Sequence, residues 1–549
     1  MKKYHYYIII LIIAGLFVLP QLWTHKMILG ADAIFHYNRF YETAQQIKTG
    51  HFSYFISIFG FQQSGRITNA VYGPVFAYFQ GVLVLLAGSW FHYQVLSNFL
   101  VYVIAGCSLF KLLTYAKLNQ NTALFTSIIF MTTYSINYWV LNQGFTSWGT
   151  AILPLCLIPI VDLKNSRFPF IKMGVSMALM TQIHMLTAVM LGLIYLPFFI
   201  SYAKHQWKRA IIDIFKAIFI YLCLSINVWI SLIVIETSDQ LKMPFVNAQM
   251  SEKAINLKGF YWLEYPGCLR LLLVIGLIIC LVYWKAISTF TKQLLLLSGL
   301  FLLLSTSLIP WTWMVAHQIP FVSLIQFPFR FFAPFTVLYL FFFASIIHEL
   351  RARKILSFVL IALSMLSIGQ NLKNNQQELS LWESRSLVSK HTFVTSSEKA
   401  ARQSFFSNDL GEALRTVQKS SPDYLPIYHG DANNKYVSYE EQILEQSPIF
   451  SKTIIDNHLE LTWQAEKTGE IQLPVILYHY SKLISGTTEI TPIKRSNIGL
   501  PTIQQKPGKN TIHLRYDPPS YMMFVFIFCT LSWFSLFLWC GYRFWQQKS

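Results

Sequence analysis

Asp32, His36 and Arg39 follow the first apolar stretch of the chain, spaced by four and then three residues. In a helix that spacing puts an acid, a titratable base and a permanent cation on one face. Such groups can move a proton and hold an anion. Ionisable residues gathered at a membrane surface point to a functional site. The same three also read as a helix N-cap, an interfacial polar residue and a headgroup anchor. The local pattern leaves both readings open.

The elements that must position these residues are membrane spans. Of 549 residues, 54% are hydrophobic, 16% aromatic and 12% charged. That is about half the charge of an ordinary soluble chain. A polytopic α-helical membrane protein is expected, with its apolar surface turned to lipid. Tyr6 to Trp23 reads as a first, uncleaved span whose start is held in the cytoplasm by Lys2 and Lys3. Asp32 then emerges on the outer side. A helix from Asp32 to about Lys48, ended by Gly50, suits the interface. His51 to Gly60 is aromatic and too short to span, so it is re-entrant or lies on the membrane. Gln62 to Asn69 is a polar loop with Arg66 as its only charge, and Tyr72-Gly73-Pro74 opens a run to Leu86.

Further apolar runs lie near residues 95–113, 122–140, 150–162, 173–187, 188–203, 210–235, 266–284, 292–310, 331–349 and 355–369. Together with the first and last spans they predict about 12–14 crossings. Basic loops mark the cytoplasmic side: Lys164 with Arg167 and Lys172, Lys204 with Lys208 and Arg209, and Arg351 with Arg353 and Lys354. Arg543 and Lys548 place the C-terminus inside as well. Counting from Lys3 and from Lys164 gives opposite sides for the segment between, so one run between 50 and 120 is re-entrant or breaks the charge rule. The formal charge of +18 sits largely in these loops. Cytoplasmic retention explains it, and nucleic acid is not expected as a partner.

From about Asn371 to Ser520 the composition turns polar, and no run is long enough to span. A small extracytoplasmic α+β domain is expected there. Residues 376–414 read as helix and loop. Alternation in Leu459-Glu460-Leu461-Thr462-Trp463, in Ile471 to Tyr478 and in Thr511 to Tyr516 reads as a β-sandwich within 455–520. The expected domains are therefore a transmembrane domain over 1–370, with its first outer loop at 25–70, the outer domain over 371–520, and a last span with a cytoplasmic tail over 521–549. The seven cysteines lie in or beside apolar runs, show no metal-ligand spacing and imply no disulfide framework.

Four stretches taken together resemble a known group. They are Gly30-Ala31-Asp32 with Phe35-His36 and Arg39; Tyr72-Gly73-Pro74; Gln326-Phe327-Pro328-Phe329-Arg330-Phe331; and Gln472-Leu473-Pro474 through Gly508-Lys509-Asn510 to Arg515-Tyr516-Asp517-Pro518-Pro519. The set is similar to the bacterial YfhO-like membrane proteins and to the related 6-pyruvoyl-tetrahydropterin-synthase-related membrane proteins, which look like members of the GT-C glycosyltransferase superfamily. The second span opens here with Gly-Pro rather than Pro-Pro, and no second Asp-x-Asp acidic motif is present.

The resemblance implies a GT-C-like fold and transfer of a sugar from a polyprenyl-phosphate donor, on the outer face of a bacterial cell membrane. The acceptor would be an envelope polysaccharide, a teichoic acid or a glycoprotein. Asp32 matches the acidic position that acts as the base toward the acceptor or as the acid-positioning group. His36 could orient it or donate to phosphate. Arg39, Arg66 and Arg330 are candidates for the leaving phosphate, because arginine matches phosphate geometry. His184 is an accessory candidate or a hydrogen-bonded packing residue. The outer loop from Glu236 to Gly267 offers Glu236 or Asp239 as a second acid for a metal or the acceptor, or simply solvated loop charges, beside Lys258 and the aromatics Phe260, Tyr261, Trp262 and Tyr265, which read as an interface belt or a sugar-stacking surface. The cofactor is left open: a divalent cation is possible but not indicated. The alternatives are a lipid-linked sugar transporter or flippase, which would carry intramembrane charges and inverted symmetry, and a non-catalytic envelope assembly protein.

Overall fold

The computed structural model describes residues 4–242, 245–256, 261–350, 353–389, 391–428, 434–445 and 449–546. Lys2, Lys3, Arg351 and Lys548, used above for topology, and Lys258 and Phe260 of the 236–267 loop lie outside the described residues. The chain is mostly helical, with a small β-sheet region near the C-terminus.

Among the described residues, nine helices are long and apolar enough to cross a membrane: Tyr4–Thr24, Trp90–Tyr115, Gln120–Asn142, Thr146–Lys164, Met185–Ser238, Cys268–Ala286, Pro328–Glu349, Lys354–Ser380 and Tyr521–Arg543. Pro74–Ala87, Phe170–Ile183 and Thr289–Ser305 are apolar but shorter. Several expected crossings are thus short for the hydrocarbon thickness. Pro74–Ala87 has 14 residues, about 21 Å of helix against about 30 Å of hydrocarbon. In the other direction, the 54-residue helix Met185–Ser238 leaves helical geometry at Gln206 (φ −146°, ψ 49°), between two of the expected runs.

The chain folds as two compact units. The first comprises Met1–Asp32, Gln94–Leu222 and Val246–Arg385. It begins with α1 (Tyr4–Thr24), and its most enclosed helix, Phe332–Glu349, is buried from Phe332 to Ile347. The expected start of an outer domain near 371 falls inside the continuous helix Arg353–Ser380. Asn371 and Asn375 look like solvent-facing residues. Instead they are buried and donate to the Tyr102 hydroxyl at 3.4 and 3.3 Å, while that hydroxyl donates to Asn137 Oδ1 at 2.5 Å. Buried polar groups are tolerated when paired in this way, so composition misplaces the boundary.

The second unit comprises Ala33–Tyr93, Cys223–Phe245 and Ser386–Ser549. It opens with α2 (Ala33–Thr49), which Gly50 closes through its N–H to Gln46 O at 2.9 Å. α3 (Pro74–Ala87) starts at a proline, preceded by Gly73 at φ 64°. That backbone strains other residues and suits glycine. The strands are β1 (Thr392–Val394), β2 (Val417–Lys419), β3 (Ser451–Ile455), β4 (His458–Ala465), β5 (Gly469–Gln472), β6 (Ser481–Ser485), β7 (Thr488–Glu489), β8 (Lys494–Arg495), β9 (Pro501–Gln505) and β10 (Gly508–Tyr516). They pair antiparallel in the orders β1-β2, β3-β4-β10-β6-β7 and β5-β9-β8. The central pair runs from Gly508 opposite Ala465 to Leu514 opposite Leu459.

The two larger sheets share one apolar core that includes Leu459, Leu461, Leu483, Leu514 and Ile503. Phe55, Ile56, Ile58 and Ile67 join that core. The 51–70 segment therefore folds with the β-rich part rather than as an independent re-entrant or surface run. Of the alternating stretches, Pro474 to Tyr478 is not a strand. It is buried, and its amides bond elsewhere: Ile476 N to Ser64 O at 2.7 Å and Leu477 N to Gly499 O at 3.0 Å.

Candidate active site

In the first unit the chain leaves α1 through a polar clamp. Gln94 accepts from Ile28 N at 3.0 Å and donates to Ile28 O at 2.7 Å, and Gln21 donates to Gln94 Oε1 at 2.6 Å. Gly30 then lies flat on the end of the helix Tyr134–Asn142. A Cβ at Gly30 would come within 2.2 Å of Asn142 Cα, so this approach requires glycine. Gly30 N donates to Gln143 Oε1 at 2.6 Å, and Asp32 N donates to Asn142 O at 3.3 Å. Asp32 is partly exposed and stands immediately before α2, at the N-cap position.

The seat of Asp32 continues into an aromatic group. Asn142 donates to the Tyr134 hydroxyl at 2.9 Å. The Tyr134 and Tyr138 rings meet Trp262 at 4.5 and 5.7 Å, and Trp262 stacks on Phe329 at 4.8 Å. Phe329 stacks on Phe327, over which the Arg330 guanidinium sits at 5.1 Å. Arg330 donates from Nη1 to Ile325 O and Gln326 Oε1 at 3.1 and 2.9 Å. The side chain is partly exposed. Gly30-Ala31-Asp32 and Gln326-Phe327-Pro328-Phe329-Arg330, about three hundred residues apart, thus share one contiguous network of contacts.

In the second unit, His36 and Arg39 project from α2 into its interior. Arg39 is fully buried. Its Nε donates to Asn69 Oδ1 at 3.1 Å, Nη1 meets His36 Nδ1 at 3.2 Å, and Nη2 donates to Tyr72 O. The guanidinium also lies over the Tyr72 ring at 4.3 Å. Burial lowers it to about 10. Arg66 is fully buried too and donates to Ser421 O and Asp423 O at 2.8 and 2.6 Å. Arg66 holds two backbone carbonyls, and Arg39 one carbonyl and two side chains, so both fasten loops and neither opens to a phosphate in this conformation.

Of the accessory residues, His184 interrupts the helices Phe170–Ile183 and Met185–Ser238, with Nδ1 2.7 Å from Thr187 Oγ1. Glu236 is exposed. Asp239 is buried and accepts from His479 N at 2.8 Å and from Ser238 Oγ at 3.1 Å. Burial raises its carboxyl above the usual aspartate range, and the His479 N–H acts against that shift. Among the described residues, no three His, Cys, Asp or Glu side chains converge as metal ligands.

Sequence reasoning missed Glu42. It is buried in α2 and accepts from Ile58 N, Phe59 N and Gly60 N at 3.0, 2.8 and 2.7 Å, and from Gln46 Nε2 at 2.8 Å. Burial raises its carboxyl above the ordinary range against those four donors. It aligns the loop that joins α2 to the β-rich core. The available signal was Glu42 with Gln46, four residues apart on the Arg39 face. Asn142 and Gln143 were also missed; their signal was a polar pair ending an apolar run. No family model matches the chain, and no curated protein does either.

Proposed function

We propose that the chain is a multi-pass GT-C-type glycosyltransferase of a bacterial cell membrane. It moves a sugar from a polyprenyl-phosphate donor to an envelope acceptor on the outer face. Both termini are cytoplasmic, and the β-rich part lies outside the cell. One observation carries this reading: the Gly30-Ala31-Asp32 motif and the Gln326-to-Arg330 motif are joined by the Asn142–Tyr134–Trp262–Phe329 contacts in one unit. Asp32 takes the proton from the acceptor hydroxyl as the new glycosidic bond forms. The bond from the sugar carbon to the phosphate oxygen breaks, and Arg330 balances the charge of the departing polyprenyl phosphate. The Nε and Nη2 groups of Arg330 make no hydrogen bond among the described residues, which leaves them for that task.

The test is Asp32→Asn in cells, with protein level held equal and envelope sugar content read out. Loss of a general base lowers transfer about 10²–10⁴-fold, so sugar content should fall to the level of a strain lacking the protein. Unchanged sugar content removes Asp32 from its role. A cysteine at position 32 that labels only from the cytoplasm ends the mechanism.

A second reading, a non-catalytic envelope assembly protein, is favoured by the full burial of Arg39 and Arg66. It predicts that Asp32→Asn changes nothing while variants that loosen α2 abolish function.

A further inference from the structure

In the second unit, the chain leaving the helix Met185–Ser238 pairs with the segment before Tyr428. Ile427 N donates to Gln240 O at 2.8 Å, Tyr424 N to Lys242 O at 2.9 Å and Lys242 N to Leu425 O at 2.7 Å. Beside this pairing lies a cavity of about 320 Å³, whose lining includes Asp239, Gln240, Tyr428, His479 and Arg495. That volume is at the lower end of the range of small-molecule sites, about 300–1,000 Å³.

The cavity is built rather than incidental. Asp239 is held by the His479 amide and by Ser238. Arg495 donates to the Tyr428 hydroxyl at 2.8 Å, with its guanidinium 5.1 Å from that ring's centroid. Lys435 is buried and anchors the wall at Pro426 from behind, donating to Pro426 O and Asn497 O at 2.9 Å each. Its ammonium is pushed down to about 8 by burial.

The walls offer a carboxylate acceptor, guanidinium and imidazole groups, an amide and one aromatic face. A lone anion would meet Asp239, and a lone cation would meet Arg495. Neighbouring hydroxyls on a sugar ring each donate and accept, so they use both signs of partner at once. Tyr428 supplies a flat face for the ring's C–H side. We propose that the cavity of Asp239, Tyr428, His479 and Arg495 is a saccharide-binding site that takes one sugar unit. The raised carboxyl of Asp239 fits a neutral hydroxyl partner better than an ammonium. This site rests on the cavity alone and stands whether or not Asp32 transfers a sugar.

The test uses the full chain in lipid nanodiscs, free of glycoside detergents. Binding of glucose, N-acetylglucosamine and N-acetylgalactosamine is measured by ligand-observed NMR and calorimetry, with inorganic phosphate and glycine as comparison probes. At least one saccharide should bind with a dissociation constant near 1 mM or tighter, about 4 kcal/mol. Asp239→Asn and Arg495→Gln should each weaken it about tenfold, the loss of one good hydrogen bond. Asp32→Asn should leave binding unchanged, which separates this site from the proposed transferase. His479→Ala keeps the backbone N–H to Asp239 and removes the imidazole from the cavity wall, so it should also weaken binding, and with Arg495→Gln it carries the test should Asp239→Asn fail to fold. The proposal is overturned if no saccharide binds, if binding persists unchanged in the variants that fold, or if phosphate or glycine binds in place of the sugars.

Discussion

Gly30→Ala probes whether the seat of Asp32 matters to function. The added Cβ would lie 2.2, 2.4 and 2.7 Å from Asn142 Cα, C and O. These are backbone atoms and cannot swing aside. Restoring ordinary contact near 3.4 Å requires the two segments to part by about 1.2 Å. The hydrogen bond from Asp32 N to Asn142 O, already 3.3 Å, does not survive that move. One lost hydrogen bond is worth about 1 kcal/mol and overpacking about 1–3 kcal/mol. The protein should therefore be destabilised by about 2–4 kcal/mol and still fold. Transfer should suffer more, because a displacement of about 1 Å at a reacting group costs about a hundredfold. The control is Gly15→Ala in α1, where an added Cβ meets nothing within 4 Å. Both variants are assayed in membrane vesicles with a polyprenyl-phosphate sugar donor, normalised to protein, alongside thermal unfolding. Equal transfer by the two variants refutes the claim that the Asn142 seat positions Asp32.

Glu42→Gln exchanges one acceptor oxygen for an amide group that faces backbone N–H donors, and at pH values above the folded titration of Glu42 it should cost about 1–3 kcal/mol in thermal unfolding. Because burial raises the Glu42 carboxyl, its contribution to stability is full below about pH 4.3 and falls as pH rises through the folded value. Glu42→Gln should remove that slope, and parallel stability curves for the two proteins across this window would show that the group is not the source. Arg66→Lys keeps the charge but replaces a planar fork, whose two terminal nitrogens reach Ser421 O and Asp423 O separately, with a shorter side chain whose donors all leave from one nitrogen. It should lower stability by about 1–3 kcal/mol through lost hydrogen bonds; unchanged stability with reduced sugar transfer would restore Arg66 to phosphate binding.

The apolar runs and the alternating strands were legible because each rests on a local period. β4 alternates in burial along His458–Ala465 as its sequence does. The same rule misplaced Pro474 to Tyr478. These residues are buried in succession, and their amides bond to segments remote in sequence, such as Ser64. A backbone partner four hundred residues away leaves no local trace. The outer-domain boundary failed for a related reason: Asn371 and Asn375 are polar by type and interior by position, because Tyr102 answers them. Composition reports what a residue is and not what it meets.

The arginines follow the same logic, and it bears on which reading of function holds. By type alone, Arg39, Arg66 and Arg330 are equivalent phosphate ligands. Burial divides them. Arg39 and Arg66 are fully enclosed, with their donors on Asn69, Tyr72, Ser421 and Asp423. To free either one would strand buried carbonyls, which cost about 1–3 kcal/mol for each unsatisfied group. Arg330 is partly exposed, and its two hydrogen bonds leave from one nitrogen. A phosphate approaching it displaces nothing that the fold depends on. If the chain is a transferase, Arg330→Gln should therefore lower transfer with little change in stability, whereas Arg39→Gln should lower both together through loss of the ties from α2 to Asn69 and Tyr72. A drop in transfer for Arg39→Gln at unchanged stability would contradict this division and return the phosphate site to α2.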